Sequence, residues 1–322
     1  MLSVDGPSRF VGARLSEADF DRLRRTRAED PARLRTVLAS RRRRPLLAGD
    51  GRLFIVAADH PARGALGIRG DELAMADRYD LLDRLATALS RPGVDGVLGT
   101  PDIIDDLALL GLLDDKVVVG SMNRGGLRHA SFEMDDRFTA YDIPGIVRDG
   151  LDFAKTLLRI NFADPGSAAT IEANARAVDD AARARMPIML EPFICDWVGD
   201  RVVNDLSTDA VIRSIAIAAG LGSSSVYTWL KLPVVPEMER VMAATTLPTL
   251  LLGGEARAAE EEVFELWEGA LRLPGVRGLV AGRSLIYPSD HDVAAAVDRA
   301  AALVHTSAPA EDAPVLAISE HD

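Results

Sequence analysis

Only three of the 37 basic residues in this chain are lysines: Lys116, Lys155 and Lys231. Two of them interrupt apolar, strand-like stretches, Lys155 in LDFAKTLLRIN (151–161) and Lys231 in VYTWLKLPVV (226–235). Elsewhere the chain uses arginine where a solvated cation suffices, so an amine inside a strand core calls for a chemical reason. A guanidinium stays charged at any physiological pH, whereas an amine can lose its proton and attack a carbonyl carbon. The pattern points to a Schiff-base lysine.

Side chains alternate between the two faces of a strand. Lys155, Leu157, Arg159 and Asn161 therefore share one face, as do Tyr227, Trp229 and Lys231. Two ammonium groups brought together and desolvated lower the pKa of at least one of them. Glu191, a carboxylate in the apolar run PIMLEPF (187–193), could shuttle protons between them. Asp59, at the end of LFIVAAD (53–59), could orient an ammonium or handle a substrate hydroxyl. Any one of these residues reads equally well as half of a compensated core ion pair; together on separate strands they favour function. Gly253-Gly254 and Gly282-Arg283 close two later runs. Glycine-freed backbone N–H groups and an arginine fork there suit a phosphate.

Asp59-His60 invites a metal reading. The other histidines, at 129, 291, 305 and 321, provide no H-x-H or H-E-x-x-H spacing, and loop-end hydrogen bonding suits His60 better. No metal or other cofactor is expected. Cys195 lacks a base partner and reads as a small buried hydrophobe, and Tyr227 and Trp229 read as packing.

The elements that must position these residues alternate along the chain. Short apolar runs occur at 53–59, 93–99, 116–120, 151–161, 187–193, 225–234, 248–254 and 276–282, with amphipathic stretches such as 72–89, 168–185, 208–221 and 258–271 between them. Continuous apolar runs suit strands buried on both faces, and their alternation with helices implies parallel βα units. The expected fold is α/β, a (β/α)8 TIM barrel at 51–304, with strand C-termini carrying the chemistry. A doubly wound sheet is the competitor, but no G-x-G-x-x-G follows the first run. Residues 1–50 read as an Arg-rich helical extension, with Ser16 capping a helix and Asp19 completing an acidic capping box. Arg41–Arg44 read as a solvated or salt-bridging arm, with an RNA or phosphate contact as the alternative. The segment 121–150 is long enough to be a lid. Residues 305–322 read as a disordered tail.

The chain has 322 residues, 48% of them apolar, and a net charge of −12. That composition supports a large core and argues against nucleic acid as a partner. A single cysteine excludes an intrachain disulfide. No signal-peptide pattern and no membrane-length apolar run is present, so the expectation is a cytoplasmic protein without a membrane partner.

Residues 151–288 resemble the class I aldolases of the tagatose-bisphosphate aldolase type and, more loosely, the archaeal-type fructose-bisphosphate aldolases. The stretches that carry this are LDFAKTLLRINFADP (151–165), IMLEPF (188–193), YTWLKLPVV (227–235), LPTLLLGG (247–254) and GLVAGRSLIYP (278–288). The chain also resembles an actinobacterial branch associated with inositol catabolism, which implies 6-phospho-5-dehydro-2-deoxygluconate or a ketose (bis)phosphate as substrate. The resemblance implies Schiff-base chemistry at Lys231, with Glu191, Lys155 and Asp59 as further catalytic residues. Gly253, Gly254, Gly282, Arg283 and Arg159 are the candidate substrate- and phosphate-binding residues. Two departures concern the substrate rather than the chemistry. Gly253 stands where the family usually has serine, and Ser121-Met122-Asn123-Arg124 lacks the family's acidic and aromatic residues. The expected partner is a small phosphorylated sugar, and homo-oligomerisation stays open. Two other readings are weighed: a non-covalent acid/base isomerase or acyltransferase using Lys155 and Glu191, and a non-catalytic sugar-phosphate-binding barrel.

Overall fold

The computed structural model describes residues 14–47, 49–122, 126–254 and 260–306. The runs at the centre of the sequence form β1 (Leu53–Ala57), β2 (Gly96–Gly99), β3 (Val117–Ser121), β4 (Phe153–Ile160), β5 (Ile188–Val198), β6 (Arg201–Asn204), β7 (Thr228–Leu232), β8 (Thr249–Leu252) and β9 (Val276–Ala281). All but β6 are parallel, and the β4–β5 pairing closes the sheet, so eight parallel strands make a (β/α)8 barrel. The chain is apolar on both strand faces because each strand packs twice. Leu53, Ile55, Val119, Phe153, Met189 and Leu250 fill the barrel interior. Their sequence neighbours Phe54, Val56, Val118, Ala154, Leu190 and Leu251 face the helices.

Between the strands run α3 (Arg78–Leu89), α4 (Pro101–Leu109), α5 (Ile143–Arg148), α6 (Gly166–Ala184), α7 (Thr208–Ala219), α8 (Met238–Met242), α9 (Glu260–Leu271), α10 (Arg283–Ile286) and α11 (Val293–Thr306). Two helices precede the barrel, α1 (Glu17–Glu29) and α2 (Arg33–Ser40). Ser16 caps α1 in a capping box with Asp19, and Phe20 packs edge-on against Tyr79 of α3 at 4.7 Å. Asp83 of α3 accepts the backbone N–H groups of Arg14 and Leu15.

Arg41–Arg44 form a salt-bridging arm under the barrel. Arg41 and Arg43 both pair with Asp152, at 2.8 and 2.7 Å, Arg42 pairs with Asp115 at 2.9 Å, and Arg44 pairs with Asp95. These aspartates lie beside the N-terminal ends of β2, β3 and β4, and Leu46 and Leu47 plug the interior from the same side. Lys116 belongs to this lower face, where its Nζ donates to the Val94 carbonyl at 2.5 Å, so it is remote in role from the other two lysines.

The structure departs from the sequence reading in β5. It does not end at Phe193 but continues to Val198 and turns back through β6 as an antiparallel hairpin, with Trp197 opposite Val202. Gly199, at φ +65°, makes the tight turn. No described helix is long and apolar enough to cross a membrane. Residues 305–306 close α11, and the remainder of the expected tail lies outside the described residues, as do Asn123, Arg124 and Gly125 of the 121–150 segment.

Candidate active site

The barrel floor is apolar where the amines enter. Phe153 and Trp229 meet edge-to-face at 5.4 Å, and each stands two residues before a lysine on the same strand face, Lys155 on β4 and Lys231 on β7. Above that floor the polar groups form one continuous chain. Lys231 Nζ lies 2.7 Å from Glu191 Oε1, and Lys155 Nζ lies 2.6 Å from Glu191 Oε2. Lys155 Nζ also donates to Asp59 Oδ2 at 3.1 Å, and that oxygen accepts the Ser121 hydroxyl at 3.0 Å. Strands β3, β4, β5 and β7 and the segment just after β1 contribute, each directing a side chain toward the barrel axis. All five residues are at most 8% exposed.

The charges are not evenly shared. Among the described residues, Lys155 pairs with two carboxylates, Asp59 and Glu191, and Lys231 with one, Glu191. Burial opposes the charge on both amines. At Lys155, Asp59 and Glu191 together outweigh burial and raise its pKa. At Lys231 burial dominates, one carboxylate does not compensate for it, the Lys155 ammonium adds repulsion, and its pKa falls. Glu191 would be raised by burial, but Lys155 and Lys231 hold it down to about 2. The arrangement thus distinguishes the lysines: the charge on Lys155 is favoured and that on Lys231 disfavoured, and Glu191 contacts both amines.

The glycines at the ends of β8 and β9 have steric reasons to be there. A Cβ on Gly282 would meet the Ala57 carbonyl oxygen at 2.3 Å, and one on Gly253 would meet Ala281 Cβ at 2.7 Å. Gly254 takes φ +71°. The Gly253 N–H is not freed for a ligand, since it donates to the Val280 carbonyl at 3.1 Å. Gly282 leads into α10, which begins with Arg283. Arg283 lies near His60: burial foremost, then the Arg283 charge, lowers the His60 pKa to about 3. His60 Nδ1 is 3.7 Å from Asp59 Oδ1. Among the described residues, no three His, Cys, Asp or Glu side chains group in a way that could hold a metal ion. Cys195 is buried, and burial pushes its thiol up to about 12.

Arg159, offered by the sequence as a phosphate ligand, sits higher on β4 and is engaged by the segment before α5. Its guanidinium contacts Glu133 Oε1 at 2.6 Å, the Glu133 carbonyl at 2.6 Å and Asp136 Oδ2 at 3.6 Å. Glu133, Asp136 and Ser121 were not foreseen. An acidic loop residue reads as solvated until its partner is known, and the serine carries no charge to mark it.

The site lies at the C-terminal mouth of a parallel barrel, the place where enzymes of this architecture carry their chemistry. The family model described as Cgl0159-like matches residues 51–301, and the chain belongs to that family. The crystal structure of Cgl0159 from Corynebacterium glutamicum is 66% identical, with a TM-score of 0.89 over 91% of this chain and 98% of that one. More distant structures share the fold. An archaeal fructose-1,6-bisphosphate aldolase, with its catalytic lysine covalently bound to the carbinolamine intermediate, is 21% identical at a TM-score of 0.58, over 84% of this chain and 99% of that one. A fructose-bisphosphate aldolase from Slackia heliotrinireducens is 13% identical at a TM-score of 0.61, over 94% and 90% respectively. No curated protein matches the chain.

Proposed function

We propose that the chain is a class I aldolase, an aldehyde-lyase that cleaves a phosphorylated ketose or keto-sugar acid through a Schiff base on Lys231. The observation that carries this reading is the buried chain Lys231–Glu191–Lys155–Asp59, in which, of the two amines, Lys231 has its charge disfavoured and Lys155 has its charge favoured. The fold shared with Schiff-base aldolases is consistent with it.

Glu191 takes a proton from Lys231, and the neutral amine attacks the substrate ketone. The alkoxide that forms takes up the proton lost by the attacking nitrogen, and the resulting carbinolamine collapses to an iminium as Glu191 returns its proton to the departing hydroxyl, which is released as water. The iminium is the electron sink. Asp59 draws the proton from the substrate's β-hydroxyl, the adjacent carbon–carbon bond breaks, the aldehyde departs, and its electron pair remains as an enamine. Protonation at carbon and hydrolysis release dihydroxyacetone phosphate or a related fragment and regenerate Lys231. Lys155 holds Asp59 and Glu191 in place and lowers the pKa of Glu191. Gly253, Gly254, Gly282 and Arg283 form the phosphate side. Because Gly253 N–H is committed to Val280, the contribution there is close backbone approach plus the Arg283 fork. No step calls for a cofactor. The substrate identity follows from the sequence resemblance: 6-phospho-5-dehydro-2-deoxygluconate or a ketose (bis)phosphate.

A panel of ketose phosphates, with coupled detection of dihydroxyacetone phosphate, tests the reading. Turnover by the wild type that disappears in Lys231→Ala is expected. Equal turnover by Lys231→Ala rejects the covalent role, and binding without turnover across the panel would favour a non-catalytic barrel.

A further inference from the structure

His60 follows Asp59 just beyond the C-terminal end of β1, and the chain around it fixes its place. Its carbonyl accepts the N–H groups of Arg63 and Ala65, at 3.1 and 3.3 Å, as the backbone passes through the single 3-10 turn Pro61–Arg63 and closes at Gly64, with φ +72°. The imidazole does not cap that turn. Among the described residues, its Nδ1 is buried and has no hydrogen-bond partner. Asp59 Oδ1, at 3.7 Å, is beyond hydrogen-bond distance. Nδ1 therefore does not make the loop-end hydrogen bond expected from the sequence. A buried nitrogen without a partner disfavours folding, which points to a partner supplied from outside the chain.

The His60 side chain is 20% exposed, against 6% for Asp59 and 5% for Lys155. Since Nδ1 is buried, that exposure lies elsewhere on the side chain and leaves Nε2 as the nitrogen open to a ligand. Asp59 uses its two oxygens differently. Oδ2 accepts from Lys155 Nζ at 3.1 Å and from the Ser121 hydroxyl at 3.0 Å, whereas Oδ1 is the oxygen that approaches the imidazole. The ring thus stands between an enclosed, anchored carboxylate and the mouth of the barrel. Burial and the Arg283 charge, followed by Arg63 and Lys231, oppose a proton on the ring, and Asp59 favours one. Such surroundings suit a neutral imidazole, which has one N–H donor and one acceptor, as a hydroxyl does.

We propose that His60 is a further catalytic residue, a neutral imidazole that relays the proton of the substrate's β-hydroxyl to Asp59. This rests on the aldolase reading. The hydroxyl O–H bond breaks and an N–H bond forms at Nε2, while the Nδ1–H bond breaks and an O–H bond forms at Asp59 Oδ1. The ring changes tautomer and never becomes an imidazolium among Arg283, Arg63 and Lys231. The oxygen's electron pair closes the aldehyde carbonyl, and the carbon–carbon pair passes to the iminium as the enamine. After the aldehyde leaves, the relay run backwards releases a proton from Nε2 and the enamine carbon gains one, so the chain ends the turnover with the protons it began with. Nδ1 and Asp59 Oδ1 close from 3.7 Å to about 2.9 Å when substrate binds, a tightening common to catalytic hydrogen bonds.

The test separates a step that needs the β-hydroxyl from one that does not. Dihydroxyacetone phosphate has no β-hydroxyl, so exchange of its α-hydrogen with deuterated water, followed by NMR, reports Schiff-base and enamine formation without the relay. Cleavage of fructose 1,6-bisphosphate and of 6-phospho-5-dehydro-2-deoxygluconate reports the whole reaction. In the full chain, His60→Gln can hydrogen-bond but cannot pass a proton between two ring nitrogens. It is expected to keep exchange near the wild-type rate and to lose about a hundred-fold in kcat for cleavage, with KM little changed. His60→Asn makes the same test should the first variant fold poorly, with circular dichroism as the check. Cleavage near the wild-type rate in either folded variant, or exchange and cleavage lost together in both, overturns the relay and leaves the Schiff base standing. So does a wild type that exchanges but cleaves neither sugar. A wild type that does neither overturns the relay together with the aldolase reading.

Discussion

Replacing Lys155 by Met separates a catalytic arrangement from a merely compensated ion cluster. Both amines share the Glu191 carboxylate, at 2.6 and 2.7 Å from its two oxygens, so the Lys155 charge acts on Lys231 at short range. With the amines roughly 6 Å apart and an effective dielectric near 20, their repulsion is about 3 kcal/mol. Removing Lys155 deletes that repulsion and leaves Glu191 wholly to Lys231. Both changes favour the Lys231 ammonium, so the sign is unambiguous: the pKa of Lys231 rises, and a smaller fraction is neutral at any pH below it. The assay is the pH dependence of borohydride trapping of dihydroxyacetone phosphate on Lys231. The acid limb of the profile should move to higher pH in Lys155→Met, and at a fixed pH on that limb the trapping rate should fall by about a hundred-fold. The position of the limb, unlike its height, does not depend on how much protein is folded. This matters because an unpaired Asp59–Glu191 pair costs stability of about 3–5 kcal/mol. A limb that stays in place, or moves to lower pH, refutes the charge coupling.

Two further outcomes follow from the same geometry. Gly282→Ala drives a methyl to 2.3 Å from the Ala57 carbonyl oxygen and should destabilise the chain by about 1–3 kcal/mol in urea unfolding, whereas Gly49→Ala, with nothing within 4 Å, should leave the midpoint nearly unchanged. Glu191 is held at about 2 in the folded chain against an ordinary 4.5, so the stability it contributes is present above pH 4.5 and lost as the pH falls toward 2. Unfolding free energy across that window should decline less steeply in Glu191→Gln than in the wild type; parallel curves would contradict the assignment.

Much of the barrel was legible because doubly buried strands leave continuous apolar runs, and an amine or carboxylate inside such a run is conspicuous. That is why Lys155, Glu191 and Lys231 could be singled out and put on one inward-facing ring. Strand ends were less legible. The run at 93–99 contains a strand only from Gly96, and β5 runs on past Phe193, because hairpin residues such as Trp197 and Val202 pair with each other rather than with the core. The Arg41–Arg44 arm could be read as salt-bridging, but its partners Asp95, Asp115 and Asp152 lie far away in sequence and only the fold brings them together. Arg159 shows the converse difficulty. Its place on the inward face was readable, but the two carboxylates that occupy it come from an acidic loop segment with no pattern to mark it. Ser121 is hidden for a simpler reason: it is uncharged, and its hydrogen bond to Asp59 is made between segments far apart in sequence.

The central claim is that the Lys231 nitrogen bonds covalently to a keto substrate. Incubation with dihydroxyacetone phosphate and borohydride, followed by peptide mass mapping, tests it directly. The account predicts an irreversible adduct on the peptide containing Lys231 and none on that containing Lys155. An adduct on Lys155 instead, or an unmodified chain that still turns over ketose phosphates, would contradict it.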